Sequence, residues 1–181
     1  MQGAYMEQNT FREISPIELE NAMQKIGKEW MLITARDEKT ERVNAMTASW
    51  GCLGVLWHKN ICVCFVRPQR YTYQLLEEQA RCSVAFLGEE YRSALRLCGS
   101  KSGRDTDKLA EAGLHTVCLD GVDVIAEAET VLLCRKLYVD DLKKEGFFDP
   151  ALLSNYVAGD YHRVYVCEIE KAYRKDKEET K

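Results

Sequence analysis

The feature that most constrains this chain is its division into short apolar runs, each about the length of a β-strand and each ended by turn-forming residues. The runs lie at residues 30–35, 43–50, 61–66, 82–87, 126–139 and 162–170. About six or seven strands with only short helices between them contain too few β–α repeats for a doubly wound parallel sheet. No Gly-rich dinucleotide fingerprint and no P-loop sequence occurs. The sequence therefore predicts a mainly β fold, an antiparallel barrel with peripheral helices at its rim.

Helix signals occur before and between these runs. Ser15 and Pro16 begin a helix that is predicted to continue to Ile26 and to end at Gly27. Shorter helices are predicted at residues 72–79, 91–97 and 105–112, and a loop or helical excursion at 147–156. The last of the short helices is expected to be capped by Asp105.

No repeat or linker divides the 181 residues, a length that fits one domain. We expect that domain at residues 11–172, with a flexible N-terminal lead at 1–10 and a charged C-terminal tail at 173–181. No apolar run is long enough to span a membrane, and residues 1–7 lack the pattern of a signal peptide. The expected location is cytoplasmic, with no membrane partner.

The charge balance limits the partners further. The chain has 25 Lys and Arg against 29 Asp and Glu, a net charge of −4. A protein whose main ligand is a nucleic-acid backbone is normally basic. We therefore expect no nucleic-acid partner, although a local basic patch can still hold one small phosphate.

Eight cysteines are spread along the chain without a C-x-x-C pair and without a histidine spaced to complete a zinc site, so no metal site is predicted. Cys62 and Cys64 are two apart in a strand-like run, share one face, and are predicted to pack inward as small apolar residues. Burial is the favoured interpretation for Cys52 also. Reduced, structurally used thiols of this kind are typical of a cytosolic protein.

Small and hydroxyl residues interrupt the second predicted strand, in the segment Asn44-Ala45-Met46-Thr47-Ala48-Ser49-Trp50-Gly51. A strand lined with Ala, Ser and Gly lets a flat ligand approach the backbone, where N–H and C=O groups can bond its edge. The alternative is a tightly packed barrel interior, and the segment taken alone favours that alternative.

Two further segments combine cations, hydroxyl groups and the start of a helix. In the first, Arg67, Arg70 and Thr72 lie within one turn at a strand-to-helix junction. In the second, residues 99–108 read Gly-Ser-Lys-Ser-Gly-Arg-Asp-Thr-Asp-Lys. Guanidinium forks and N–H groups at a helix start both suit phosphate oxygens. Each segment alone is also typical of ordinary surface arginines or turns, but two of them in an acidic protein favour a phosphate site.

Taken in order, the three segments resemble the successive motifs of the flavin reductase-like, flavoredoxin-type family. Later segments that fit its pattern are Asp120-Gly121-Val122, Glu127-Ala128, Leu133-x-Arg135-x-Leu137-Tyr138 and Gly159-Asp160-Tyr161-His162. The resemblance extends in order from about Phe11 to Ala172. It implies a split β-barrel, antiparallel and Greek-key-like, that forms a homodimer and binds FMN non-covalently near the subunit interface.

The resemblance also implies a set of cofactor-binding residues. Those expected to line the isoalloxazine ring are Thr47, Ala48, Ser49 and Trp50, and Met46 is a further expected cofactor-binding residue. Those expected near the ribityl phosphate are Arg67, Tyr71 and Thr72, with Ser100, Ser102, Arg104 and Lys108 completing the phosphate and ribityl site. Which of the two cationic segments holds the phosphate stays open at this point, and both can contribute.

The flavin itself carries the redox chemistry in such proteins, while the protein positions it. The implied function is electron transfer from NADH or NADPH through FMN to an unidentified acceptor, with no catalytic residue assigned. His162 lies where an imidazole can cover the flavin edge, although a satisfied polar residue is the favoured interpretation. Two alternatives stay open: an FMN electron carrier reduced by a redox partner protein, and a split-barrel binding protein without flavin.

Overall fold

The computed structural model describes residues 11–176, and antiparallel strands are its main secondary structure. The strands are β1 (Phe11–Ile14), β2 (Met31–Arg36), β3 (Val43–Ala48), β4 (Gly51–Leu56), β5 (Lys59–Val66), β6 (Arg81–Phe86), β7 (Thr116–Leu119), β8 (Val122–Ile125), β9 (Thr130–Asp141) and β10 (Arg163–Lys175). The α-helices are α1 (Ala22–Gln24), α2 (Tyr71–Glu78), α3 (Arg92–Ser100) and α4 (Lys108–Glu111). The predicted lead at 1–10 and the last residues of the predicted tail, 177–181, lie outside the described residues.

The main sheet has the order β3-β2-β6-β9-β10-β5-β4, with β1 paired to β10 and with β7–β8 as a separate hairpin. Its two end strands, β3 and β4, are consecutive in sequence and are joined only by Ser49 and Trp50. Three peptide steps span at most about 11 Å, so the sheet must curl until its two ends come together. We call this junction of β3, Ser49, Trp50 and β4 the seam. The predicted mainly β, antiparallel, barrel-like fold is confirmed.

Both faces of the central strands are buried. Alternate residues of a strand point to opposite faces, so Met31 and Ile33 of β2 enter one hydrophobic cluster while Leu32 enters the other. Helix α2 covers the first cluster with Leu76, and α3 covers the second with Leu95. This double coverage explains why the runs are continuously apolar rather than alternating.

Five of the six buried cysteines lie in the first cluster and Cys98 lies in the second. Cys62 and Cys64 are buried as predicted, with their Sγ atoms 3.8 Å apart. All eight cysteines are free. Within residues 11–176 no group of three or more ligating side chains has the arrangement of a metal site. The prediction that Cys52 is buried is wrong. This thiol is exposed, because β4 is an end strand with one uncovered face.

The helix predicted from Ser15 to Ile26 is also wrong. A short 3₁₀ turn at Pro16–Glu18 is followed by Asn21 in the left-handed region (φ 56), then by α1 and a π-helical turn at Lys25–Glu29. The capping box at Ser15 and Glu18 does form, but it caps a single turn.

No helix in the described range is long and apolar enough to cross a membrane.

The number of strands and several strand boundaries differ from the prediction. The strand predicted at 43–50 ends at Ala48, and β1, β4, β7 and β8 have no predicted counterpart. The strand predicted at 126–139 begins only at Thr130. The last strand continues to Lys175, because β1 and β9 pair with its second half. Residues 173–175, which were predicted to begin the tail, therefore belong to this strand.

Gly51, at the start of β4, is required by close packing. A Cβ atom there would lie 2.8 Å from the carbonyl oxygen of Val63 and 2.8 Å from Cε of Met31. For this glycine, a tightly packed interior is the correct interpretation.

Gly51→Ala is therefore expected to lower the free energy of unfolding by about 1–3 kcal/mol, because the backbone of Val63 cannot move aside cheaply. Gly54→Ala, on the same strand with nothing within 4 Å of the added Cβ, is the matched control and should change stability by no more than about 0.5 kcal/mol. Urea unfolding measures both. Equal stabilities for the two variants would contradict the close packing at the seam.

Candidate functional site

The twelve residues predicted to bind the cofactor are brought together around three adjoining cavities. They come from β3 and the seam, from the junction of β5 and α2, and from the end of α3 with the loop that leads to α4. These elements are distant in sequence, but the closing of the sheet at the seam places them side by side.

The first cavity, which we call the aromatic cavity, has a volume of about 220 Å³. Its lining residues are Met46, Thr47, Ala48, Ser49, Trp50, Phe65, Arg67, Arg70 and His162. The rings of Trp50 and His162 are 5.1 Å apart, and Phe65 meets His162 edge to face at 6.5 Å. The hydroxyl of Thr47 donates to the carbonyl of Leu95 at 2.6 Å, so this side chain also anchors α3 to β3.

His162 is buried and hydrogen-bonded, in agreement with the interpretation of a satisfied polar residue. Its Nδ1 lies 2.8 Å from the hydroxyl of Tyr156. Burial, and secondarily the positive charge of Arg67, lower the pKa of His162 to about 4. The imidazole is therefore neutral at physiological pH while it lines the aromatic cavity. His58 and His115 are exposed and do not line any of the three adjoining cavities.

The second cavity, the cationic cavity, has a volume of about 330 Å³ and shares Met46, Arg67 and Arg70 with the first. Its other lining residues are Gln69, Tyr71, Thr72, Ser100, Lys101, Ser102 and Lys108. Both cationic segments of the sequence therefore line the same cavity.

The arginines of this cavity are not equivalent. Arg67 is paired with the carboxylate of Asp160 and donates to the carbonyl of Asn155 at 2.8 Å. Arg70 donates to the carbonyl of Gly99 at 2.6 Å and has no carboxylate within 4.0 Å in the described part of the chain. Burial, and then the charge of Arg67, lower the pKa of Arg70. Arg70 is therefore a cation without a counterion.

Lys108 is a second such cation. It is 4% exposed, and its Nζ donates to the carbonyls of Cys98 and Lys101, both at 3.2 Å. No salt bridge of Lys108 exists among residues 11–176. Burial lowers its pKa from 10.5 to about 8. A buried ammonium group without a carboxylate is costly unless an anion joins it.

The third cavity, the outer cavity, adjoins the cationic cavity through Tyr71 and Lys108 and has a volume of about 280 Å³. Arg104 lies there with its guanidinium 5.1 Å from the ring of Tyr71 and donates to the carbonyl of Gln69 at 3.1 Å. The hydroxyl of Tyr71 donates to Asp37 at 2.5 Å, which helps to hold the pKa of that carboxyl at about 2.

The loop that carries Ser102 and Arg104 is held against β3 and α2 by Gly103. A Cβ atom at Gly103 would collide with the side chain of Asn44 and lie 3.1 Å from Cδ1 of Tyr71. Asn44 in turn donates to the hydroxyl of Thr72 at 2.7 Å. The cap of α4 is Asp107, which accepts from the N–H of Ala110 at 3.2 Å, and not Asp105 as predicted.

Five lining residues of the aromatic and cationic cavities were not among the predicted cofactor-binding residues: Phe65, Gln69, Arg70, Lys101 and His162. Arg70 carried a signal, since it lies in the same turn as Arg67 and Thr72. Phe65 carried none, because its closeness to His162 depends on the pairing of β5 with β10. Together the cavities offer cations, hydroxyl groups and aromatic rings, which suit a flat ligand with an anionic end.

Comparisons with known proteins agree with this picture. The sequence model of the family described as "Flavin reductase like domain" matches residues 23–181. No curated protein sequence matches the chain.

Several solved structures share the fold. The FMN-binding domain of a flavin reductases-like enzyme from Shewanella baltica OS155 has a TM-score of 0.68 and 16% identity over 92% of this chain and 78% of that chain. Flavoredoxin from Methanosarcina acetivorans has a TM-score of 0.63 and 21% identity, over 82% of this chain and 69% of that chain. The NADH:FAD oxidoreductase SgcE6 of Streptomyces globisporus C-1027 has a TM-score of 0.61 and 18% identity, over 81% of this chain and 75% of that chain. The predicted fold class is thereby confirmed.

The uncompensated charge of Lys108 makes a prediction about anion binding. We expect sulfate, whose charge is constant over this range, to bind more weakly as the pH rises through about 8, because Lys108 then loses its proton. The affinity for sulfate should fall by at most about tenfold per pH unit. Lys108→Arg should remove this pH dependence, since arginine stays charged, and Lys108→Met should bind weakly at every pH. Calorimetric titration measures all three; a flat profile for the unmodified protein would refute the assignment.

Proposed function

The chain belongs to the flavin reductase-like domain family, and on that premise we propose that it binds FMN and passes electrons from NADH or NADPH through it to an acceptor. The observation that carries the proposal is the pair of cations without counterions, Arg70 and Lys108, in a cavity that opens into an aromatic one. A flavin mononucleotide has the matching chemistry, with a phosphate at one end and a planar ring at the other.

In this proposal the phosphate group of FMN binds in the cationic cavity. Arg70 and Lys108 supply positive charge, and the hydroxyl groups of Ser100, Ser102 and Thr72 supply further hydrogen-bonding groups. Arg67 contributes less to phosphate binding, because Asp160 already balances its charge. Arg104 lies in the outer cavity and adds to the positive potential around the phosphate.

The aromatic cavity is proposed to take the isoalloxazine ring. FMN when bound supplies hydride and single-electron chemistry that no side chain can provide. Trp50 and Phe65 offer aromatic surface, and the small side chains of Ala48 and Ser49 let the ring approach the backbone of the seam. His162 contributes a neutral imidazole, so it adds no charge beside the ring.

We further propose a homodimer. The surface around β4 exposes large apolar side chains, which are rare in such number on a monomer unless a partner covers them. They are Trp50, Val55, Leu56, Trp57, Tyr138 and Val139. Trp50 belongs both to this surface and to the aromatic cavity, so a second copy docked here would lie close to the proposed flavin.

The donor is tested by an anaerobic visible spectrum of the FMN-loaded protein before and after NADH or NADPH is added. Rapid bleaching of the bound flavin is the expected result for a reductase. A bound flavin that dithionite bleaches and neither nucleotide does would indicate an electron carrier reduced by a partner protein. Failure to retain FMN would reject the cofactor and leave the family relationship as one of fold.

Arg70→Ala is expected to weaken FMN binding at least about tenfold, because charge-assisted hydrogen bonds contribute roughly 1.5–3 kcal/mol. Arg67→Ala should weaken it less, owing to the pairing with Asp160. Arg96→Ala removes the same charge from an exposed position on α3 and is the matched control, with no expected effect. Flavin fluorescence titration gives the affinities; equal losses in the Arg70 and Arg96 variants would contradict the proposed phosphate contact.

A further inference from the structure

A fourth cavity, the apolar pocket, adjoins the aromatic cavity at the seam. The two share Ser49, Trp50 and Phe65 as lining residues. The apolar pocket has a volume of about 560 Å³, within the range of about 300–1,000 Å³ that is typical of small-molecule sites. Its other lining residues are Ala22, Met23, Ile26, Gly27, Gly51, Cys52 and Leu53.

The lining of this pocket differs in charge from that of its neighbours. No lysine, arginine, aspartate or glutamate belongs to it, whereas the cationic cavity contains Arg67, Arg70, Lys101 and Lys108. A charged molecule that entered the apolar pocket would lose water without gaining a counterion. The pocket therefore selects neutral ligands.

The side chains also favour a particular shape of ligand. Trp50 and Phe65 provide aromatic rings, and Met23 and Cys52 provide sulfur atoms, which make favourable contacts with aromatic and conjugated rings. Met23 is 93% exposed, so most of its apolar surface has no partner within the described chain. A flat conjugated molecule would cover it.

We propose that the apolar pocket binds the electron acceptor, and that this acceptor is a neutral, flat, conjugated carbonyl compound of the quinone class. The inference rests on the proposed function, which supplies the electrons. The overall reaction is NAD(P)H plus a proton plus quinone, giving NAD(P)⁺ plus hydroquinone. Two electrons leave the nicotinamide, and the two quinone oxygens each gain a hydrogen. Because the pocket borders the aromatic cavity, the acceptor would lie beside the proposed flavin ring.

The probe for this proposal is 2,3-dimethyl-1,4-naphthoquinone, whose substituted ring positions prevent addition of the Cys52 thiol. Its binding to the purified protein without NAD(P)H is followed by quenching of tryptophan fluorescence, since Trp50 lines the pocket. In parallel, kcat/KM for its reduction by NAD(P)H is measured with the FMN-loaded protein.

The test variant is Met23→Glu, which places a carboxylate at the exposed edge of the pocket. It is expected to weaken both quinone binding and kcat/KM at least about tenfold, through the lost methionine contact and the added charge. Met23→Leu keeps the site apolar and should stay within about twofold. Ile17→Glu adds the same charge at an exposed apolar position outside the pocket and should bind quinone normally.

Two results would overturn the proposal. The first is quinone binding by Met23→Glu that equals that of the unmodified protein. The second is loss of quinone binding by Met23→Glu together with dissociation of a dimer in sedimentation, which would assign the pocket to the interface between two copies. Absence of flavin bleaching by NAD(P)H would instead reject the proposed function, while the fluorescence titration would still decide whether the pocket binds quinone.

Discussion

The structure depends on one geometric constraint, the two-residue connection between the end strands of the main sheet. Because only Ser49 and Trp50 separate β3 from β4, the intervening strands must curl round until the two ends meet. Gly51 permits the final approach, since its missing side chain leaves room for Met31 and for the backbone of β5. The aromatic cavity and the apolar pocket both open at this seam, and Trp50 lines each of them. A single short connection thus closes the fold and builds the walls of two neighbouring sites.

Around the cavities the cations divide into two groups with different physical roles. Arg67 is neutralised by Asp160, and through the carbonyl of Asn155 and the ring of Tyr156 it holds the segment before β10 in place. Arg70 and Lys108 are satisfied only by backbone carbonyls. Carbonyl dipoles stabilise a buried cation less than a full negative charge does, so these two groups leave the cavity with an excess of positive potential. Although the protein as a whole is acidic, this excess of positive potential is confined to the cationic cavity, where it favours binding of a small anion.

Family membership and site geometry contribute different parts of the conclusion. The match over residues 23–181 establishes the family, while the structural neighbours, at 16–21% identity, share the fold and include both an oxidoreductase and a flavoredoxin. The geometry distinguishes a cationic cavity from an apolar pocket, and the aromatic cavity shares lining residues with each of them. That division separates an anionic ligand from a neutral one by charge alone, because each would lose solvation in the other's cavity.

The mainly β class, the inward packing of Cys62 and Cys64, and the chain segments that meet at the site could be predicted from the sequence. Strand period, turn residues and the residue types of a motif are local properties, and they can be predicted from neighbours in sequence. Long-range contacts were needed to show that Arg67 has a counterion and that Arg70 has none within residues 11–176, because Asp160 lies 93 positions from Arg67. They likewise decided the burial of Lys108, the exposure of Cys52 and the existence of β4. Each of these depends on which strands become neighbours and which sheet face stays uncovered, and that is set by long-range pairing rather than by local pattern.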